Sequence, residues 1–253
     1  MSDAHLGFAE ADVERAVVSF LRYAASHAGS IVVNGDLFEF WFEWRTVIPR
    51  RGFRAVAALA DAVDAGVPVI MIAGNHDCWG GDVLRDDVGV DYRFGPLVTE
   101  IAGWRTHIEH GDGLRPREDR RYRLLRRLLR NRLAIRSFRW LHPDLATPIA
   151  TGSSHASRTY VARDHGRGLH DAAVRISDGD PSVDLVILGH SHVATLERLP
   201  RGAAYANPGS WLDAPTFLRI SEDRVALRRW DGSAESADLH TLDRIAKKTL
   251  AEL

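Results

Sequence analysis

Five short clusters of Asp, His and Asn carry the residue types that bind divalent metal ions. Three of them follow an apolar run with the length of a buried strand, and His110 follows a short strand-like segment, Thr106–Glu109. The clusters are Asp3-Ala4-His5, Gly35-Asp36, Gly74-Asn75-His76-Asp77, His110-Gly111-Asp112 and Gly189-His190-Ser191-His192. Carboxylate, amide and imidazole groups are hard and borderline metal ligands. Each cluster alone is a weak signal, because Gly-Asp pairs are common turns. Their ordered combination predicts a metal site.

The elements between these clusters must bring them to one place. Residues 9–27 have apolar positions at helical spacing, and a strand is predicted over 31–33. A second helix over 52–65 leads to the strand before Gly74. This β-α-β alternation predicts an α/β fold with parallel strands. Ligands collect beyond the carboxyl ends of such strands, where the clusters fall.

The remaining chain gives shorter signals. Residues 82–99 are rich in turn formers, and residues 100–109 predict two short strands around Ala102-Gly103. Residues 217–230 alternate like a hairpin that turns near Ser221, and residues 240–253 predict a terminal helix. The first cluster has only Met1 and Ser2 before it. Either its strand is a stub, or the start of the chain is assigned several codons too late, which N-terminal sequencing of the native protein would test.

An arginine-rich stretch begins after Leu114. Leucines and aromatic residues alternate with its arginines, which predicts a basic amphipathic helical insert. The arginines are Arg115, Arg117, Arg120, Arg121, Arg123, Arg126, Arg127, Arg130, Arg132, Arg136 and Arg139. A solvated face, an anion-binding lid and attachment to an anionic membrane surface are all open interpretations. No nucleic-acid recognition module accompanies the stretch, so no nucleic-acid partner is predicted.

Composition narrows the class of protein. A formal net charge of -1 gives no global reason to expect a polyanionic partner, and no obligate protein partner is evident. No apolar run approaches the roughly 20 residues of a membrane span. The single cysteine, Cys78, excludes an internal disulfide and fits a reducing compartment. These features predict a cytoplasmic protein, with peripheral attachment to the inner membrane face as an option for the basic insert.

The ordered clusters resemble the calcineurin-like metallophosphoesterases, whose pattern is Asp-x-His, Gly-Asp, Gly-Asn-His-Asp, a later His and Gly-His-x-His. The resemblance implies a two-sheet sandwich flanked by helices and two divalent metal ions. One ion would be held by Asp3, His5, Asp36 and His192, and the other by Asp36, Asn75, His110 and His190. Independently of the family, two ions about 3.5–4 Å apart can activate a shared water for phosphoryl displacement. The thiolate-free ligand set favours Mn²⁺, with iron or zinc as alternatives.

His76 and Asp77 are the candidate catalytic residues. In the scheme that the resemblance implies, His76 faces the phosphate as an imidazolium or protonates the leaving oxygen, and Asp77 fixes its orientation. The alternative is that His76 only braces Asp36 or a phosphate.

Several stretches resemble one branch of this family, the UDP-2,3-diacylglucosamine diphosphatases of lipid A synthesis. They are Asn34–Phe42, Gly74–Trp79, His110–Leu114 and Leu188–His192. The resemblance implies hydrolysis of an acylated nucleotide-sugar substrate to UMP and 2,3-diacylglucosamine 1-phosphate. It implies substrate contacts from Asn75, Asp119, Tyr122 and His190. The aromatic run Leu37–Trp44 is either core packing or an apolar wall beside the site.

The predicted organisation is a metallophosphoesterase core over 1–113 and 184–236, a helical cap insert over 114–183, and a C-terminal helix over 237–253. Two competing functions are kept. One is a metallophosphoesterase acting on another phosphodiester or phosphomonoester, such as a nucleotide or phosphoprotein. A polar surface on the insert would favour this function. The other is a catalytically silent scaffold, which should have lost metal ligands; here every matching position is filled.

Overall fold

The structure is a computed structural model that describes residues 1–116, 118–150, 164–233 and 236–245. Its helices are α1 Ala11–His27, α2 Phe53–Asp64, α3 Arg120–Leu129, α4 Arg132–Phe138, α5 over residues 143–150, and α6 Arg167–Gly179. Its strands are β1 Ile31–Asn34, β2 Val69–Ile72, β3 Asp91–Arg93, β4 Leu97–Ile101, β5 Trp104–Ile108, β6 Leu185–Ile187, β7 Thr195–Arg198, β8 Ala204–Asn207, β9 Thr216–Ile220, β10 Arg224–Arg229 and β11 Asp238–Asp243. A short π-helical segment, Val83–Asp87, precedes β3.

The strands form two packed layers. One layer contains the parallel sheet β1-β2-β3 and the antiparallel sheet β11-β10-β9. The other is a mixed five-stranded sheet in the order β4-β5-β6-β8-β7. Ile72 of the first layer packs with Ile108 and Leu185 of the second in a shared apolar cluster that also includes Val225 of β10. The predicted two-sheet sandwich is therefore confirmed.

Helices cover both outer faces of the sandwich. Helices α1 and α2 bury apolar residues at helical spacing, such as Val17, Leu21 and Leu59, against β1 and β2. On the other face, α6 buries Leu169 and Ala173 against the five-stranded sheet. Since α6 belongs to this outer layer, the predicted insert over 114–183 extends too far: its described helices outside the sandwich are α3, α4 and α5.

Most local predictions are confirmed, including both N-terminal helices, β1, β2 and the β9-β10 hairpin. The strands around Ala102-Gly103 are β4 and β5, and both turn residues have positive φ, as a tight hairpin turn requires. Strand β3 lies within residues 82–99, for which the sequence indicates turns but no strand.

The predicted terminal helix over 237–253 is wrong for Asp238–Asp243, which form β11 and pair antiparallel with β10. This segment contains one β-branched residue, Thr241, and two leucines, and its pairing with β10 overrides its local propensity. The last eight residues of that prediction, and residues 151–163 of the predicted helical insert, lie outside the described residues.

The helices α3, α4 and α5 pack beside the sandwich and are called the arginine-rich helices, although the arginines lie in α3 and α4 and α5 has none. Asn131 separates α3 from α4, and its side chain accepts hydrogen bonds from the Leu133 and Ala134 amides at the start of α4. The side chains of Ile135 and Phe138 pack on Phe42 and Trp44. Within the described ranges, no helix is long and apolar enough to span a membrane.

Candidate metal centre

Four strand ends and the N-terminal segment deliver the predicted ligands to one edge of the sandwich. The N-terminal segment runs beside β1, where the Asp3 amide donates to Gly35 O at 3.1 Å and the Asn34 amide donates to Met1 O at 2.8 Å. Asp36, His110 and His190 follow β1, β5 and β6, and Asn75 follows β2. The carboxyl ends of these parallel strands meet, so the five clusters converge as predicted.

The backbone at this edge is held in an uncommon conformation. Only seven non-glycine residues in the described part of the chain have positive φ, and five of them are Asp3, His5, Asp36, His190 and His192. Left-handed conformations cost free energy in residues with a Cβ, and they persist where surrounding structure enforces them. The concentration of such residues at the predicted ligands indicates a functional site.

Two glycines allow the loops to approach closely. A Cβ on Gly74 would overlap Asp36 Oδ1 and would lie 2.6 Å from the Asp36 amide nitrogen. A Cβ on Gly35 would overlap the His110 ring. The glycines that mark the clusters in the sequence are therefore needed for contact between the ligand-bearing loops.

The first donor group consists of Asp3, His5 and His192, whose donor atoms lie within 4.8 Å of one another. The Nε2 atoms of His5 and His192 are 3.2 Å apart, and His192 Nε2 is 3.5 Å from Asp3 Oδ1. The Asp3 carboxylate also accepts from the His190 amide at 3.2 Å. Three buried or half-buried donors thus converge on one point.

The second donor group consists of Asp36, His110 and His190, again with donor atoms within 4.8 Å. His110 Nε2 lies 3.1 Å from Asp36 Oδ2, and its Nδ1 donates to Asn34 O at 2.9 Å. The buried Asn75 Oδ1 accepts no hydrogen bond within the described ranges. An orphaned buried amide oxygen in the loop after β2, together with the Nε2 of His110, which also lacks a hydrogen bond within those ranges, fits a divalent cation whose charge would satisfy both atoms.

Burial and neighbouring charges shift the pKa values of Asp36, His110 and His190 in different directions. Burial raises the pKa of Asp36, but His110 and His76 outweigh burial and hold this pKa well below its ordinary value. Burial lowers the pKa of His110, but the Asp36 carboxylate outweighs burial and raises it well above its ordinary value. Burial, aided by His110, holds the pKa of His190 well below its ordinary value. Neutral His190 has a free lone pair for a metal ion.

His76 is buried beside the donor groups, as a candidate catalytic residue should be. Its Nδ1 donates to the backbone carbonyl of Glu39 at 2.9 Å, and its Nε2 lies 4.0 Å from Asp36 Oδ2. Its amide donates to Asp36 Oδ1 at 2.9 Å. The ring therefore presents Nε2 to the site.

The predicted role of Asp77 in orienting His76 is wrong. The two Asp77 oxygens accept the Gly74 and Leu37 amides, each at 2.8 Å, and the His76 ring is oriented by Glu39 instead. Burial and the Asp36 carboxylate raise the pKa of Asp77 to about 7. Asp77 fastens the loop after β2 to the loop after β1, since its short side chain reaches both backbones.

Asp119 and Tyr122, predicted to contact substrate, take part in internal contacts. Asp119 is buried and accepts from the Arg115 amide at 2.9 Å and its guanidinium at 2.8 Å. Tyr122 donates to Asp112 Oδ2 at 2.6 Å and thereby joins α3 to the loop that carries His110. Their substrate contacts stay predictions.

Two further residues at the site were absent from the sequence-based prediction. Glu39 lies within reach of both His5 and His76, and Asn34 positions His110 through its carbonyl. The signal for Glu39 is visible in retrospect, because a carboxylate inside the aromatic run Leu37–Trp44 needs a buried partner. The signal for Asn34 is weaker, since it contributes a backbone group.

The sequence matches known proteins over most of its length. Residues 1–194 match the calcineurin-like phosphoesterase family. A protein named UDP-2,3-diacylglucosamine hydrolase from Porphyromonas gingivalis is 32% identical over 213 residues, covering 76% of this chain and 81% of that protein. Proteins of the same name from Xanthomonas oryzae pv. oryzae and Pseudomonas fluorescens are 28% and 27% identical, each covering 91% of this chain, and 97% and 94% of their own lengths.

Proposed function

The chain belongs to the calcineurin-like phosphoesterase family, and from this premise we propose that it is a metal-dependent hydrolase of UDP-2,3-diacylglucosamine. The reaction cleaves the diphosphate and releases UMP and 2,3-diacylglucosamine 1-phosphate. The observation that carries the proposal is the meeting of two donor groups at one edge of the sandwich, one around Asp3 and the other around Asp36. The names of the relatives support the substrate.

Two divalent ions fit these donors. Asp3, His5 and His192 would hold one ion, His110, His190 and Asn75 would hold the other, and Asp36 would serve both. When bound, such ions lower the pKa of a water and stabilise charge on phosphoryl oxygens. Imidazole, carboxylate and amide donors without a thiolate support Mn²⁺, iron or zinc, with Mn²⁺ as our proposal. Elemental analysis of protein purified without added metal tests the identity.

His76 handles the proton of the reaction in this proposal. Its Nδ1–H is committed to the Glu39 carbonyl, so Nε2 is the atom available to the substrate. A proton held at Nε2 would bind the phosphate or pass to the leaving oxygen. Because the ring is buried and its amide is tied to Asp36, its position is fixed before substrate binds.

The arginine-rich helices supply an apolar surface beside this site. Eight of the sixteen exposed large hydrophobic side chains in the described ranges fall between residues 124 and 149. They include Leu124, Leu128, Leu133 and Trp140, which are 61–86% exposed. Concentrated exposed apolar side chains mark interaction sites for lipid or protein. Acyl chains of the substrate are the proposed ligand.

We further propose that these helices attach the protein peripherally to an anionic membrane surface. Arginines interleave with the exposed leucines, which is the composition of interfacial helices. Sedimentation with vesicles of mixed anionic and zwitterionic lipid tests this proposal. Binding to purely zwitterionic vesicles that salt does not weaken would contradict an electrostatic contribution to membrane attachment. No binding to either kind of vesicle would contradict membrane attachment itself.

The reaction is tested by following UMP release from UDP-2,3-diacylglucosamine in the presence of Mn²⁺, with Asp36→Ala and His76→Ala as controls. The proposal requires UMP release that both substitutions suppress. A non-acylated UDP-sugar, assayed in parallel, tests the role of the apolar surface. Turnover of a simple aryl phosphodiester without UMP release would keep the metal chemistry and overturn the lipid substrate.

A further inference from the structure

We infer that Glu39 is a positioning residue that fixes the orientation of two histidines of the site, His5 through its side chain and His76 through its backbone. The inference rests on the metal centre of the proposed function. Glu39 is the one buried acid of the Leu37–Trp44 run that reaches the donor groups; Glu43, four residues on, is buried elsewhere.

The side chain of Glu39 acts on His5. Glu39 Oε2 lies 3.1 Å from His5 Nδ1, and both side chains are buried. Because a carboxylate only accepts, the contact places a proton on Nδ1 of His5. The other ring nitrogen, Nε2, then carries its lone pair toward His192 and Asp3. A carboxylate behind a ligating imidazole fixes the tautomer and raises the basicity of the ligand.

The backbone of Glu39 acts on His76. Its carbonyl accepts from His76 Nδ1 at 2.9 Å, so the proton on that nitrogen is also fixed and Nε2 faces Asp36. The rings of His5 and His76 meet edge to face with centroids 4.8 Å apart. One residue therefore sets the direction of a metal ligand and of the candidate acid. The hydrogen bond to His76 comes from the Glu39 backbone, while the Glu39 carboxylate Oε2 also lies 3.7 Å from His76 Nδ1.

The division between side chain and backbone makes the inference testable. Glu39→Ala should weaken Mn²⁺ binding at the His5 group by about 10–100-fold, the range found when such partners of ligating histidines are removed. Glu39→Gln keeps an acceptor oxygen for His5 and should recover part of that affinity. The backbone hydrogen bond to His76 survives both changes, but each change also removes a negative charge 3.7 Å from His76 Nδ1. The inference is therefore tested by Mn²⁺ affinity and its partial recovery in Glu39→Gln, and not by kcat.

Glu43→Gln is the matched control. Glu43 is equally buried in the same segment, and it accepts from Trp41 Nε1 and from the Val83 and Leu84 amides. Its substitution should change thermal stability without changing Mn²⁺ affinity. Calorimetric titration of metal-free protein with Mn²⁺ measures affinity and stoichiometry independently of catalysis, and the melting temperature of each variant reports whether it folds.

The outcomes separate the inference from the proposed function. If the unaltered protein binds no Mn²⁺, Fe²⁺ or Zn²⁺, the metal centre itself fails. If it binds metal and folded Glu39→Ala and Glu39→Gln bind with unchanged affinity, only the positioning role fails. Loss of one full equivalent of metal in both variants would make Glu39 a ligand, as the grouping of His5, Glu39 and His76 also permits geometrically, and would overturn the role argued above.

Discussion

The donor groups and the arginine-rich helices lie next to each other and are built in opposite ways. Asp3, Asp36 and His110 are at most 1% exposed, and the backbone around the donors adopts conformations that the surrounding loops enforce. The position of each donor side chain is therefore fixed by the buried residues and loops around it. On the neighbouring helix α4, Leu133 is 72% exposed, and Trp140 in the turn after α4 is 86% exposed. The arginine-rich helices pack a few side chains on the sandwich and expose many large apolar side chains to solvent.

The two regions are joined by an apolar cluster, in which Ile135 and Phe138 pack on Phe42 and Trp44, and by polar contacts. The indole of Trp79 donates to Leu129 O at the end of α3, and the indole of Trp44 donates to Leu141 O after α4. Tyr122 of α3 donates to Asp112, beside His110. The difference in construction implies that bond cleavage and substrate selection are separable. Substitutions in one region should alter one property and spare the other.

The largest effect is expected from Asp36→Asn. Asp36 contacts His110 and His76 and is shared by the proposed metal ions, so its charge cannot be replaced. Loss of several kcal/mol of charge stabilisation corresponds to a decrease in kcat/KM of at least about 10³-fold. The decrease should be equal for the acylated substrate and for a simple aryl phosphodiester. If Asp36→Asn lost activity only on the acylated substrate, bond cleavage and substrate selection would not be separable as proposed.

Gly74→Ala tests whether the close contact between the loops after β1 and β2 is needed for stability and metal binding. The added Cβ would overlap Asp36 Oδ1, so we expect about 1–3 kcal/mol of destabilisation together with weaker metal binding. Gly29→Ala is the control, because no atom lies within 4 Å of a Cβ at that position. Thermal unfolding with and without Mn²⁺ measures both effects. Equal behaviour of the two variants would show that the loops can separate at no cost.

The same contrast explains what the sequence could predict. The strands, the two N-terminal helices and the ligand clusters were predictable, because buried strands that end in Gly and polar residues leave a strong local pattern. Asp3, His5 and His192 converge as predicted, and so do Asp36, His110 and His190. The apolar pattern of a strand indicates that the strand is buried. Because the strands are parallel, their carboxyl ends, and the ligand clusters that follow them, lie at the same edge.

Contacts between segments were less predictable. The partner of His76 is the Glu39 carbonyl and not Asp77, because a backbone acceptor carries no residue-type signal. The segment Asp238–Asp243 reads as helix locally, yet it pairs with β10. The extent of the insert was overestimated, because the amphipathic pattern of α6 is the same for packing on a sheet as for packing on another helix.

Trp79→Phe tests the attachment of the arginine-rich helices. The change removes the 2.9 Å hydrogen bond to Leu129 O and keeps an aromatic ring against Phe40. A net loss of about 1 kcal/mol should raise KM for UDP-2,3-diacylglucosamine about fivefold. Turnover of the aryl phosphodiester should be unchanged. Trp104→Phe removes a comparable 2.8 Å bond to Ser221 O within the sandwich, and it should lower stability without changing KM.

The smallest effect on the fold, and the sharpest test of the outward surface, is expected from Leu128→Ser. Leu128 is 61% exposed on α3, so its removal should change the free energy of unfolding by less than about 0.5 kcal/mol. If the arginine-rich helices insert apolar side chains at a membrane surface, the same change should weaken sedimentation with anionic vesicles by about threefold. Leu239→Ser, at a 45% exposed position on β11, is the control and should leave vesicle binding unchanged. Equal loss of vesicle binding in both variants would mean that binding follows general surface hydrophobicity. The arginine-rich helices would then not be a specific lipid-binding surface.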